Sequence, residues 1–166
     1  MALFLRAGFA AGLLLASAVA SSARAEDFNL GDLAVQHPWT RATPPGAQVA
    51  AGYITIRNNG STADRLVGGS LEAASGFELH DMSMKDGVMR MRPAAPVEIP
   101  PGGSVTLSPS GTHAMFTGLK HVLTKGSAIA GTLVFDHAGT LPVRFSVEAI
   151  GAKAPASAAM PGMKMN

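Results

Sequence analysis

The chain has 166 residues, 47% apolar and only 14% charged, with 19 glycines and 11 prolines. That balance suits one globular domain of short segments and excludes wholesale disorder and a two-domain enzyme. Cysteine is absent, which removes disulfide scaffolds, thiolate zinc sites, iron–sulfur clusters, thiol nucleophiles and blue-copper electron transfer together.

In chain order, residues 1–25 read as a secretory signal peptide: Arg6 supplies the positive start, Ala7 to Ala20 the apolar run, and Ala23-Arg24-Ala25 the small-x-small cleavage site. The run is short for a bilayer span, no later segment approaches one, and no cysteine stands at the cleavage site to carry a lipid. A soluble, extracytoplasmic mature protein is expected, with no membrane span. Without Arg6 and Arg24 the formal charge falls from +2 to zero, so no basic stripe remains and nucleic acid is not an expected partner.

The domain is placed at residues 26–150. Its apolar residues come in short, often alternating runs separated by turn residues every eight to twelve positions, the pattern of an all-β sandwich or barrel. Strands are predicted at Leu33–Gln36, Val49–Arg57, Arg65–Ser70, Phe77–Met84, Val88–Arg92, Val97–Ile99, Ser104–Ser108, Met115–Thr117, Ala128–Asp136 and Val143–Ala149. Residues 151–166 have no periodicity and read as a flexible, Met-containing tail, in which Met160, Met163 and Met165 are thioethers with no core to fill.

Methionine usually fills core gaps and is then scattered. Here, Met1 aside, none precedes Met82; Met82, Met84, Met89 and Met91 then fall within ten residues, and Met115 follows alone before the tail. Asp86-Gly87 predicts a two-residue type I′ hairpin, which fixes the register of its flanks. Met84 then pairs with Met89, Met82 with Met91, and Asp81 with Arg92 on the other side. By the same parity His80 joins the four thioethers on one face, either as a soft-metal surface or as a Met-rich sandwich interior. His113-Ala114-Met115 adds an imidazole and a thioether that project to one side of an extended chain. One imidazole and one thioether per segment make an N₂S₂ set, the donor choice for Cu(I) rather than for Mg²⁺ or Ca²⁺.

At these residues the sequence resembles a known family. His80, ten residues, Met91, twenty-one residues, His113, one residue and Met115 match the pattern of the periplasmic copper chaperones written PCu(A)C. Pro38-Trp39, the Arg41–Gly46 segment, Ala51-Gly52-Tyr53, Glu78-Leu79-His80, Met91-Arg92-Pro93 and Gly118-Leu119-Lys120 also look like that family. The resemblance implies a cupredoxin-like Greek-key β-sandwich in the periplasm, holding one Cu(I) per chain through His80, Met91, His113 and Met115. It also implies delivery of that copper to an apo copper protein, a cytochrome c oxidase subunit above all, with another copper chaperone as a further partner.

Other readings fare worse. No nucleophile elbow or carboxylate pair with chemistry-specific surroundings is present, so no enzyme is expected. His37, His121 and His137 lack a thioether neighbour and read as loop histidines near strand ends. An extracytoplasmic β-sandwich that only binds a protein partner would explain the fold, but not the methionines.

Overall fold

A computed structural model describes residues 27–155. The signal-peptide reading and the tail methionines Met160, Met163 and Met165 lie outside the described residues. Within them the chain forms eleven strands and no helix: β1 (Phe28–Leu30), β2 (Leu33–Arg41), β3 (Val49–Asn58), β4 (Asp64–Leu71), β5 (Gly76–Lys85), β6 (Val88–Pro93), β7 (Val97–Ile99), β8 (Ser104–Leu107), β9 (His113–Thr117), β10 (Ala128–Phe135) and β11 (Gly139–Glu148).

Their hydrogen-bonded order is β6-β5-β9-β3-β2-β11-β10-β4-β7, with β1 beside β2 and β8 beside β3. Neighbours distant in sequence, such as β3 with β9, β4 with β10 and β2 parallel to β11, require the crossing connections of a Greek key. The sheet curls so that its own inward face makes the core. Phe116 of β9 meets Phe145 of β11 edge-on, ring centroids 5.3 Å apart, although two strands separate theirs in the hydrogen-bonded order. Gly52 makes that approach possible, because a Cβ there would sit 2.6 Å from the Phe116 ring. The expected cupredoxin-like all-β sandwich is the observed fold.

Ten strands fall where the alternating runs placed them, with shifted ends. β1 was not expected, and β2 and β11 are longer than predicted. The predicted strand ends at Gln36, yet β2 runs on through Pro38 in a bulge: the register with β3 breaks between Gln36 and Trp39, just where proline has no N–H to offer. This corrects the placing of His37 in a loop near a strand end, since it lies inside β2 with a left-handed φ of 49°. The β5–β6 hairpin has the predicted register throughout, Met84 with Met89, Met82 with Met91 and Asp81 with Arg92. Asp86 and Gly87 at φ 54° and 74° supply the two positive angles that a type I′ turn requires.

Asp64 locks the β10–β11 turn onto β4. Its carboxylate accepts backbone N–H bonds from Arg65 at 2.7 Å and from His137 and Ala138 at 2.9 Å each. Desolvation pushes its pKa up, but the three donors and the nearby His137 outweigh this and hold it below the ordinary 3.8. A carboxyl whose pKa is lowered in the fold contributes stability above the unfolded value and loses it as pH falls through the folded one. Asp64→Asn is therefore expected to destabilise the domain by about 1–2 kcal/mol at neutral pH. The gap from wild type should close below pH 3.8 in urea titrations run across pH. A gap that stays constant from pH 7 to 2.5 would show the carboxylate charge to be irrelevant.

Candidate metal centre

β5 alternates strictly. Phe77 and Leu79 enter the core, which leaves Glu78, His80, Met82 and Met84 on the opposite face. β9 does the same with Ala114 and Phe116 inward and His113 and Met115 outward. The antiparallel register then sets His80 opposite His113 and Glu78 opposite Met115. On the far side of β5, Met91 of β6 stands opposite Met82, one same-face step along from His80. The two imidazole centroids are 6.2 Å apart. Met115 and Met91 flank this pair diagonally, one on each side.

The outward face is not uniformly wet. Trp39 and Tyr53 pack together, centroids 4.5 Å apart, and Tyr53 lies 6.3 Å from the His113 ring. Arg41 covers Tyr53 from 5.5 Å and is itself tied to the Ala152 carbonyl at 2.8 Å. Burial raises the Tyr53 phenol pKa and Arg41 only partly offsets it, so the ring stays neutral and is no phenolate donor. Under this cover His113 and Met115 are 3% and 9% exposed, whereas Met91, on the edge strand, is 49% exposed. The donors thus run from a sheltered side to an open one.

Both imidazoles are oriented, and in each one nitrogen is left over. His113 Nδ1 lies 3.0 Å from the Gly111 carbonyl, which can only accept, so Nδ1 carries the proton and Nε2 the lone pair. His80 Nε2 lies 2.7 Å from a Glu78 carboxylate oxygen, so by the same logic Nε2 donates and Nδ1 carries the lone pair. That Nδ1 is buried and makes no hydrogen bond. A buried polar atom without a partner costs free energy, and a metal ion would satisfy it. A carboxylate or carbonyl behind the imidazole is also the usual support of a metal-binding histidine. Among the described residues no three His, Asp or Glu side chains converge as a metal site, so any ion held here must draw on thioethers.

Glu78, the acceptor behind His80, is the residue of this cluster that the sequence reading did not assign, although its parity with His80 was visible. Trp39 and Tyr53 as a cover were likewise unassigned. The remaining histidines take no part in the cluster. His37 sits in the β2 bulge with Nδ1 3.9 Å from the Asp27 carboxylate, His137 lies in the β10–β11 turn, and His121 is exposed. The Met-rich interior is excluded, because Met84 and Met89 are 70% and 59% exposed.

This fold, with imidazoles and thioethers gathered on the outward face of β5, β6 and β9, is that of a PCuAC-type domain. The model of the LpqE-like family matches residues 33–147, and the chain belongs to that family. A candidate lipoprotein of Leifsonia xyli subsp. xyli, Lxx21020, is 35% identical over 115 residues, 69% of this chain and 68% of that one. Among solved structures, the apo PCuAC domain from PmoF1 is similar with a TM-score of 0.65 and 32% identity, covering 75% of this chain and 99% of its own. The copper-bound PCuAC domain from PmoF2 has the same TM-score at 27% identity, covering 75% and 98%. The Cu(I) form of DR1885 from Deinococcus radiodurans is similar with a TM-score of 0.53 and 29% identity, covering 79% and 85%.

Proposed function

We propose that this protein is an extracytoplasmic Cu(I) chaperone that binds one ion through His80 Nδ1, His113 Nε2 and the thioethers of Met91 and Met115. It passes the ion to an apo copper protein without turning over a substrate. The observation that carries the reading is the buried His80 Nδ1, unpartnered while its sister nitrogen is held by Glu78. Two neutral imidazoles and two thioethers suit Cu(I), and similarity to a copper-bound PCuAC domain and to the Cu(I) form of DR1885 supports the same metal. Copper here is cargo. Four neutral donors leave its charge uncompensated, so an acceptor offering anionic or additional soft ligands can draw it off. The exposed Met91 side gives that acceptor its approach. A respiratory oxidase subunit fits as acceptor through the family resemblance, and the lipoprotein description of the family fits a location outside the cytoplasm.

Competition against a Cu(I) chelator under anaerobic conditions tests the binding, and transfer to an apo copper protein in the same buffer tests delivery. One tight equivalent that moves to the acceptor is the expected result; no chelator-resistant equivalent would end the reading. Glu78→Gln gives a sharper check, because it keeps shape but weakens the acceptor behind His80. Loss of such support typically costs 10–100-fold in metal affinity, so a fall of about tenfold or more is expected with the urea midpoint unchanged. Wild-type affinity in that variant would leave Glu78 as a surface carboxylate.

A further inference from the structure

The β5–β6 hairpin runs beyond the sandwich, and its two sides differ in chemistry. Among the described residues β9 pairs with β5 only at residues 76–80, while β6 pairs with β5 alone and is exposed along its whole length. One side of this overhang presents Asp81, Ser83, Arg90 and Arg92; the other presents Met82, Met84, Met89 and Met91 as two adjoining cross-strand pairs. Methionine has no core to fill at 70% and 59% exposure. An apolar docking face would be served by valine or isoleucine, which also suit strands better. All four positions instead carry a thioether.

We propose that Met84 and Met89, with Met82, form a second and weaker Cu(I) site at the hairpin tip, from which the ion steps to Met91 and on to the imidazole pair. The inference rests on the reading of His80 and His113 as the principal copper site. Directly opposed side chains have Cβ atoms roughly 4.5–5.5 Å apart. Three rotatable bonds let each methionine swing its sulfur toward an ion between the strands. The next pair lies about 7 Å along the same face, so one sulfur can be exchanged for another without release to solvent. The ion stays Cu(I) throughout and no electron moves. With no imidazole or carboxylate among its donors, the tip site favours Cu(I) over Cu(II).

Full-length protein labelled with ¹³C at the methionine methyl groups, each signal assigned by a Met→Leu variant, is titrated anaerobically with Cu(I). The Met91 and Met115 signals are expected to finish shifting within the first equivalent, and those of Met84 and Met89 to move only beyond it. The double variant M84L/M89L should keep the first event, lose the second and load the first site several-fold more slowly in stopped flow. If Met91 and Met115 respond while Met84 and Met89 stay still through about three equivalents, the tip site is overturned and the chaperone reading stands. Wild-type loading in M84L/M89L overturns it equally. If Met84 and Met89 respond only to an added apo copper protein, the face is a docking surface and the inference fails. Silence from every methyl group sinks both readings.

Discussion

Alanine at His113 is expected to weaken Cu(I) binding by roughly two orders of magnitude, about 2.7 kcal/mol, since removing a ligand should cost at least as much as removing its supporting partner. His113 is the most sheltered of the four proposed donors, with its proton committed to the Gly111 carbonyl and Tyr53 alongside. It is therefore preorganised, and little entropy is lost when the ion arrives. Because its burial also makes it part of the structure, His80→Ala serves as the second variant. It opens less of the interior and deletes a buried nitrogen, His80 Nδ1, that makes no hydrogen bond. Both variants are to be compared with wild type by chelator competition and by thermal melting with and without Cu(I). Copper should raise the melting temperature of the wild type by more than that of either variant. Equal affinities in all three proteins would remove the imidazole pair from the site.

The largest effect on stability is expected at Phe116, one residue beyond Met115 but on the opposite face of β9. It is fully buried, with its ring 5.3 Å from Phe145 and 5.7 Å from Phe77, centroid to centroid. Phe116→Ala leaves a void where the curled layers meet and should cost about 3–5 kcal/mol. That is a large share of the 5–15 kcal/mol available to an ordinary domain. Gly52, which gives way to this ring, offers no side chain to refill the space. A drop in the urea midpoint at unchanged slope is the expected observation. A loss below about 1 kcal/mol would mean that the layers close over the gap.

How much of this was legible in the sequence depended on local grammar. Asp86-Gly87 dictates a turn whose geometry propagates outward, so the pairing of six residues on each strand followed from two. The His-x-Met of β9 was equally readable, since parity alone puts both side chains on one side. What periodicity does not carry is which face of a strand lies under other parts of the chain. Trp39 and Tyr53 look like core residues in the sequence, yet they form a separate outer cover over His113. Glu78 escaped because a carboxylate is a poor Cu(I) ligand, and what the structure adds is its hydrogen bond behind the His80 imidazole. The strand predicted to end at Gln36 runs on to Arg41, because a bulge at His37 and Pro38 lets the ladder resume on the far side. β1, three residues long, has too few positions for any alternation to register.

The position of β6 at the rim of the sheet has a dynamic meaning. Strands such as β3 and β11 are bonded on both sides and buried, so they open only when the whole domain does. Among the described residues β6 is held from one side only and is exposed along its length, which places it among the units that open on their own at small free-energy cost. Met91 travels with that strand while His80, His113 and Met115 stay on the anchored framework. In the proposed copper site, fraying of that one strand would turn a four-donor grip into a three-donor one, briefly and reversibly, without disturbing the fold. Departure of the ion would then be a matter of how often the rim opens, a rate that the β5–β6 turn and the cross-strand pairs can tune.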